Sequence, residues 1–250
     1  MEVGPLMNCY TPTLLAFFLT FLLVYLIAYF ILFRHWGPRA RPFATSCFTS
    51  LAHGTPAAFL AARAIYREPP GRFASPNSAA QSTALEFSTA YFLTDLLHYL
   101  VFFPHDTLFI IHHVATLFVL LTCRYVVSSG AYGILVLLIL AEITSPCQNT
   151  WSIAKVRRDV STAADKYYRF LSPYFYAFYS MVRGIIGPTF VYELVTFYAG
   201  ELAEDSIPRW AWISWIVVIV CGILVSIIWV LNNWKLWYSE RSSEVEKKFS

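Results

Sequence analysis

Charge is what this sequence has least of. Charged residues make up 13% of its 250 positions and hydrophobic residues 58%, with a mean hydropathy of +0.55. Soluble domains carry about 25% charged residues, so an ordinary water-soluble fold is excluded. The net charge of +3 is too small to build a basic field, which excludes nucleic acid as a partner class. The cysteines Cys9, Cys47, Cys123, Cys147 and Cys221 stand singly, which argues against a disulfide or zinc framework. None of the six histidines forms an H-x3-H or H-x2-H-H box, so a membrane di-iron centre is not expected. A zinc shared by His98, His112 and His113 is disfavoured because adjacent residues diverge by about 100° on a helix. No G-x-S-x-G motif points to a serine hydrolase. No metal or cofactor is expected. The first ten residues hold no Lys or Arg, and the apolar run that follows is too long for a signal-peptide core. It reads as a retained first span.

Long apolar runs fill the chain instead. A helix needs about 20 largely apolar residues to cross the hydrocarbon, and seven stretches qualify: 13–33, 43–65, 84–103, 107–127, 131–152, 170–198 and 211–234. The second is diluted by Ser46, Thr49, Ser50, His53, Gly54 and Thr55. The sixth is interrupted by Pro173, Gly184, Gly187 and Pro188. The reading is an all-α, multi-pass transmembrane bundle. Residues 66–83, with their Pro, Gly and Ser, read as a short link.

Lys and Arg orient the bundle. Twelve of them (at 34, 39, 41, 155, 157, 158, 166, 169, 235, 241, 247 and 248) fall on one side, and five (at 63, 67, 72, 124 and 209) on the other. That bias places the N-terminus in the lumen and the C-terminus in the cytosol. Trp210, Trp212 and Trp215 at one end of the last span, and Trp229, Trp234 and Trp237 at the other, read as interfacial belts. The terminal Lys247-Lys248-Phe249-Ser250 resembles a dilysine retrieval signal. Coat machinery reads such signals on cytosolic tails of endoplasmic-reticulum membrane proteins.

Ionisable residues inside spans are expensive and need partners or a polar cavity. Here they are His53, Asp95, His98, His112, His113, Arg124, Glu142 and Arg183, with Asn149 beside them. Asp106-Thr107 reads as the N-cap of span four, leaving His112 and His113 roughly 8–10 Å deep. On the antiparallel span three His98 falls at a similar depth and Asp95 somewhat deeper. Residues three or four apart share a face, which pairs Asp95 with His98, His112 with Thr116 and Glu142 with Pro146. His113 and Arg124, eleven apart, also align. A purely structural alternative neutralises Arg183 with Asp95 or Glu142.

The stretches Ser88-Thr-Ala-Tyr-Phe-Leu-Thr-Asp95, Ile111-His112-His113-Val-Ala-Thr116 and Leu140-Ala141-Glu142-Ile-Thr-Ser-Pro146, followed by Arg183, together resemble the TLC domain. That domain is shared by ceramide synthases, translocation-associated membrane proteins and smaller lipid-homeostasis proteins. The resemblance divides the chain into an N-terminal helix and loop (1–39), a TLC-like domain (40–235) and a cytosolic tail (236–250). It implies a six-helix barrel around a lipid-sized tunnel, preceded by one extra helix. In ceramide synthases the paired histidines act with a later His-Asp and a further Asp in acyl transfer from acyl-CoA. His112 and His113 match the first pair, but Ala141 to Pro146 stand where the later carboxylates would be. The chain is thus more similar to the smaller, non-synthase members, whose implied role is control of membrane lipid composition.

Three functional readings follow. The first is an endoplasmic-reticulum protein that binds or regulates membrane lipids. Its polar cavity would be formed by His53, Asp95, His98, His112, His113, Thr116, Glu142 and Arg183, and its partner would be a lipid or fatty acyl chain. The second is an acyl-CoA-dependent N-acyltransferase with His112 or His113 as base and Glu142 or Asp95 as the orienting carboxylate. The third is a cargo or assembly protein whose buried charges only fix packing.

Overall fold

The computed structural model describes residues 12–66, 73–200 and 207–249, with side chains in those ranges from 13 to 242. Cys9, the middle of the 66–83 link and the side chains of Lys247 and Lys248 lie outside the described set. The described residues are helical, without a strand. They form α1 (Pro12–Ile27), α2 (Ala40–Tyr66), α3 (Ala79–Phe102), α4 (Thr107–Leu121), α5 (Ala131–Glu142), α6 (Ser145–Arg157), α7 (Thr162–Met181), α8 (Gly187–Ala199) and α9 (Arg209–Phe249). Three π-helical segments, Ala28–Leu32, Thr122–Val127 and Val182–Ile186, extend α1, extend α4 and join α7 to α8.

Local chemistry sets the ends. At α3, Ser78 accepts from the Gln81 N–H while the Gln81 side chain accepts from the Ser78 N–H, closing a capping box. Asp106 caps α4 as its sequence position suggests. Asn77 ties three elements together: its amide donates to the Cys123 carbonyl and its oxygen accepts from the Ala131 N–H. Beside it Gly130, at φ +87°, turns the chain into α5 where a Cβ would lie 2.8 Å from Ile207.

The fifth span is not one helix. Pro146 has no N–H to give to the Glu142 carbonyl, and the chain breaks at Ile143-Thr144 before restarting as α6 with Pro146 in its first turn. In the sixth span Pro173 sits within an unbroken α7, and the irregularity is the π segment ahead of Pro188.

The contacts trace a closed ring of six rods: α2 against α3, α3 against α4, α4 against α9, α9 against α7 and α8, these against α6 and α5, and those against α2. The α1 helix lies outside, packed on α3 and α2, with Phe17 and Phe21 on Phe87. Thr13–Leu32, Thr107–Val127, Ala131–Arg157 and Arg209–Ser242 are long and apolar enough to cross a membrane by length and composition. The rods of α2 and α3 are as long but more polar, because Thr45, Ser46, Thr49, Gln81, Glu86, Ser88, Thr89 and Thr94 are buried against neighbouring helices. Trp215 is no belt residue: it is 1% exposed and donates to Thr122 across the α4–α9 seam. The α9 helix runs on through residue 235, so the tail begins as a continuation of that helix.

At Gly54, α2 touches the α5–α6 break. A Cβ there would sit 2.8 Å from Glu142 Oε2 and 2.9 Å from Ser145 Cβ. Overpacking of this kind costs about 1–3 kcal/mol. Gly54→Ala is therefore expected to lower the melting temperature of the detergent-purified protein by about 3 °C or more. Gly222→Ala in α9, which meets nothing within 4 Å, should leave it unchanged or raise it; equal behaviour of the two variants would refute this packing.

Candidate functional site

The centre of the site is a carboxylate with three donors around it. Asp95 of α3 meets His113 Nε2 at 2.9 Å, accepts from Ser46 Oγ of α2 at 2.8 Å and from the Tyr91 hydroxyl at 3.2 Å. His113 is 4% exposed and places its Nδ1 2.7 Å from the Phe109 carbonyl. A carbonyl only accepts, so Nδ1 carries a proton. One further proton then lies between Nε2 and Asp95, and both ring nitrogens are engaged. The Asp95 face of α3 thus selects His113 rather than its own i+3 neighbour His98.

His98 points away from the ring. Its Nδ1 lies 2.8 Å from the Tyr25 hydroxyl on α1, and its ring is enclosed by Tyr99, Phe102 and Phe103. Its place among the cavity residues is therefore corrected: it bridges the outer helix to α3.

His53 and Glu142 form a second polar group, buried between α2, α3 and α5. The His53 ring stacks on Tyr91 at 4.0 Å, Nε2 lies 3.1 Å from Ser88 Oγ, and Nδ1 faces Glu142 Oε2 at 3.8 Å. The same Glu142 oxygen accepts from Ser145 Oγ at 2.7 Å. Because Ser145 opens α6, the carboxylate sits at the positive end of that helix. Tyr91 joins the two groups, with its ring on His53 and its hydroxyl on Asp95.

On α4, four directions are distinguishable. His113, Leu117 and Leu120 are buried toward α3, Thr122 meets α9, and Ile111, Val114 and Phe118 are exposed on the outer face. The remaining face carries His112 and Thr116 and turns to the inside of the ring. There the His112 ring is exposed and Thr116 is half-buried, so the ring is open at this level rather than filled. The neighbours His112 and His113 stand nearly perpendicular, at 86°.

Arg183 approaches from the opposite wall. It lies in the Val182–Ile186 π segment, donates from Nη2 to the Ala141 carbonyl at 3.0 Å and lies over the Tyr179 ring. Ala141 is in the last turn of α5, so the guanidinium complements that helix's negative end. Its charge also reaches His112 and Glu142. The pairing of Arg183 with Asp95 or Glu142 is corrected: no carboxylate comes within ion-pairing distance of it among the described residues. Arg124 likewise does not align with His113. It falls in the π segment after α4, where the 3.6-residue period is lost, and pairs with Glu86 at 2.8 Å. Asn149 binds Ser50. Among the described residues no group of three His, Cys, Asp or Glu is placed to hold a metal.

Sequence reasoning missed Glu86, Ser46, Tyr91, Ser88 and Tyr25. Glu86 was detectable, being an acid within span three. The hydroxyl residues carry no such signal.

A family model described as the TLC domain matches residues 43–235. A TLC domain-containing protein of Arabidopsis thaliana is 56% identical over 242 residues, covering 95% of each chain. No solved structure matches. With this match over most of its length and that full-length relative, the chain belongs to the TLC-domain family of membrane proteins linked to lipid metabolism.

Proposed function

We propose that this chain is an endoplasmic-reticulum membrane protein of lipid homeostasis that holds a membrane lipid within its ring, with the lipid's head at the level of His112. The observation that carries this reading is the exposed His112 on the inner face of α4, within reach of the Arg183 charge. Ligand sites of this type combine apolar lining with a few placed polar groups. Three loop regions rich in basic residues meet at one end of the bundle, where Arg157 covers the Trp36 ring and Arg158 bonds Glu240. Their clustering supports the orientation with a cytosolic C-terminus, as a dilysine-like tail read by coat machinery requires.

The acyltransferase reading is the second, and the histidine geometry narrows it. His113 has no nitrogen left to accept a substrate proton, whereas His112 is open to the ring interior. If acyl-CoA is a substrate, the base is His112, and Glu142, bound to Ser145 and facing His53, is not its orienting partner. His113 then acts as a positioning residue that fixes α4 against α3.

Two tests follow. Extraction of the purified protein should yield tightly held lipid by mass spectrometry. Thr116→Trp, which fills the inner face, should remove it, and Val114→Trp, on the outer face, should not. If both variants keep the lipid, it is not inside the ring. Incubation of the same preparation with long-chain acyl-CoA and amine acceptors addresses the second reading, which requires an acylated product that disappears in His112→Ala. The Asp95–His113 bond is expected to behave as a coupled pair. Either alanine variant should destabilise by about 3–5 kcal/mol, the cost of orphaning a buried charged partner. The double variant should lose clearly less than the sum. Additive losses in thermal melts would separate the two residues.

A further inference from the structure

Three carboxylates lie buried in the described bundle, and each is committed. Asp95 holds His113, Glu86 holds Arg124, and Glu142 accepts from Ser145 and faces His53. Two cations remain to be accounted for inside the rods, and Arg124 has its acid. Among the described residues Arg183 has the Ala141 carbonyl, the edge of a helix dipole and the face of the Tyr179 ring but no carboxylate, and its Nε–H is buried without a hydrogen-bond partner. A cation in the interior of a membrane bundle without a counter-ion is costly, and a buried donor left unmade carries a penalty of its own. The neighbouring histidine does not relieve it: the guanidinium and His112 are both donors or potential cations, close enough for their charges to interact.

Resting on the lipid-holding reading above, we propose that the lipid taken into the ring carries a full negative charge on its head, a carboxylate or a phosphate, and that Arg183 is its counter-ion with His112 as a second donor. The planar guanidinium presents several N–H groups in a fixed fork suited to oxyanions. A charge-assisted bond there supplies the partner that Nε lacks. Neutral heads such as the hydroxyl of diacylglycerol leave the guanidinium uncompensated. Zwitterionic heads bring a bulky cation toward it. Placing Arg183 in a π segment is consistent with such a role, since π-bulges occur frequently at functional sites.

The test uses the full chain in detergent and four radiolabelled lipids with the same acyl chains: the free fatty acid, phosphatidic acid, diacylglycerol and phosphatidylcholine. The fatty acid or phosphatidic acid should bind about tenfold or more tightly than diacylglycerol, and which of the two leads distinguishes carboxylate from phosphate. Excess acetate or inorganic phosphate should not displace them; displacement would assign the site to a free anion and overturn the proposal. Arg183→Gln should abolish the preference for an anionic head while Arg183→Lys retains most of it. Equal affinity of the native chain for charged and neutral lipids overturns the proposal without any variant, and leaves the lipid-holding reading intact. Failure of every lipid to bind overturns that reading as well.

Discussion

The bond between Asp95 and His113 is the contact on which the site depends. It joins α3 to α4 at a level where lipid offers no alternative hydrogen-bond partner, and it draws in Ser46 from α2 and Tyr91 from α3 itself. Three neighbouring walls of the ring are thereby registered to one carboxylate. The rotation of α4 that satisfies His113 also decides where its neighbour goes. With about 100° between successive residues, a histidine locked against α3 leaves the preceding one on the inside of the ring. The doubled histidine is thus one structural residue and one available residue, and the first makes the second available.

A second constraint comes from the break after α5. Pro146 cannot complete the helix, so a helix end and a helix start fall within one membrane-length rod. The start of α6 carries partial positive charge and receives Glu142 and Ser145, while the end of α5 carries partial negative charge and receives Arg183. Each polar group answers a backbone irregularity rather than the other's charge. This explains why an acid and a base at similar depth do not form a salt bridge. It also leaves the guanidinium with unused hydrogen-bonding capacity on the side of His112.

Much of this was legible in the sequence. Seven apolar stretches correspond to seven rods, and of the in-span residues Asp95 and His113 meet directly while the Arg183 charge reaches His112 and Glu142. What was not legible is pairing. A regular helical period places Arg124 on the face of His113 and Glu142 on that of Pro146. The π segment after α4 removes the first alignment. Hydroxyl residues such as Ser46 and Tyr91 are common in apolar runs, so their attachment to Asp95 shows only when α2 and α3 are side by side. Helical period alone puts His98 on the face of Asp95 and so in the cavity. Its actual partner, Tyr25, belongs to the helix outside the ring.

That outer helix changes how the inner site is to be understood. Through Tyr25 and His98, and through Phe21 against Tyr91 and His53, α1 backs the outward side of the same residues whose inward side sets the polar layer. Tyr91 is held between the Phe21 ring and the His53 ring while its hydroxyl reaches Asp95. Loss of α1 would expose these polar groups to lipid, where an unmet hydrogen-bonding group is costly. The helix that lies outside the matched domain is therefore part of the support of its central carboxylate, and the site extends across that boundary.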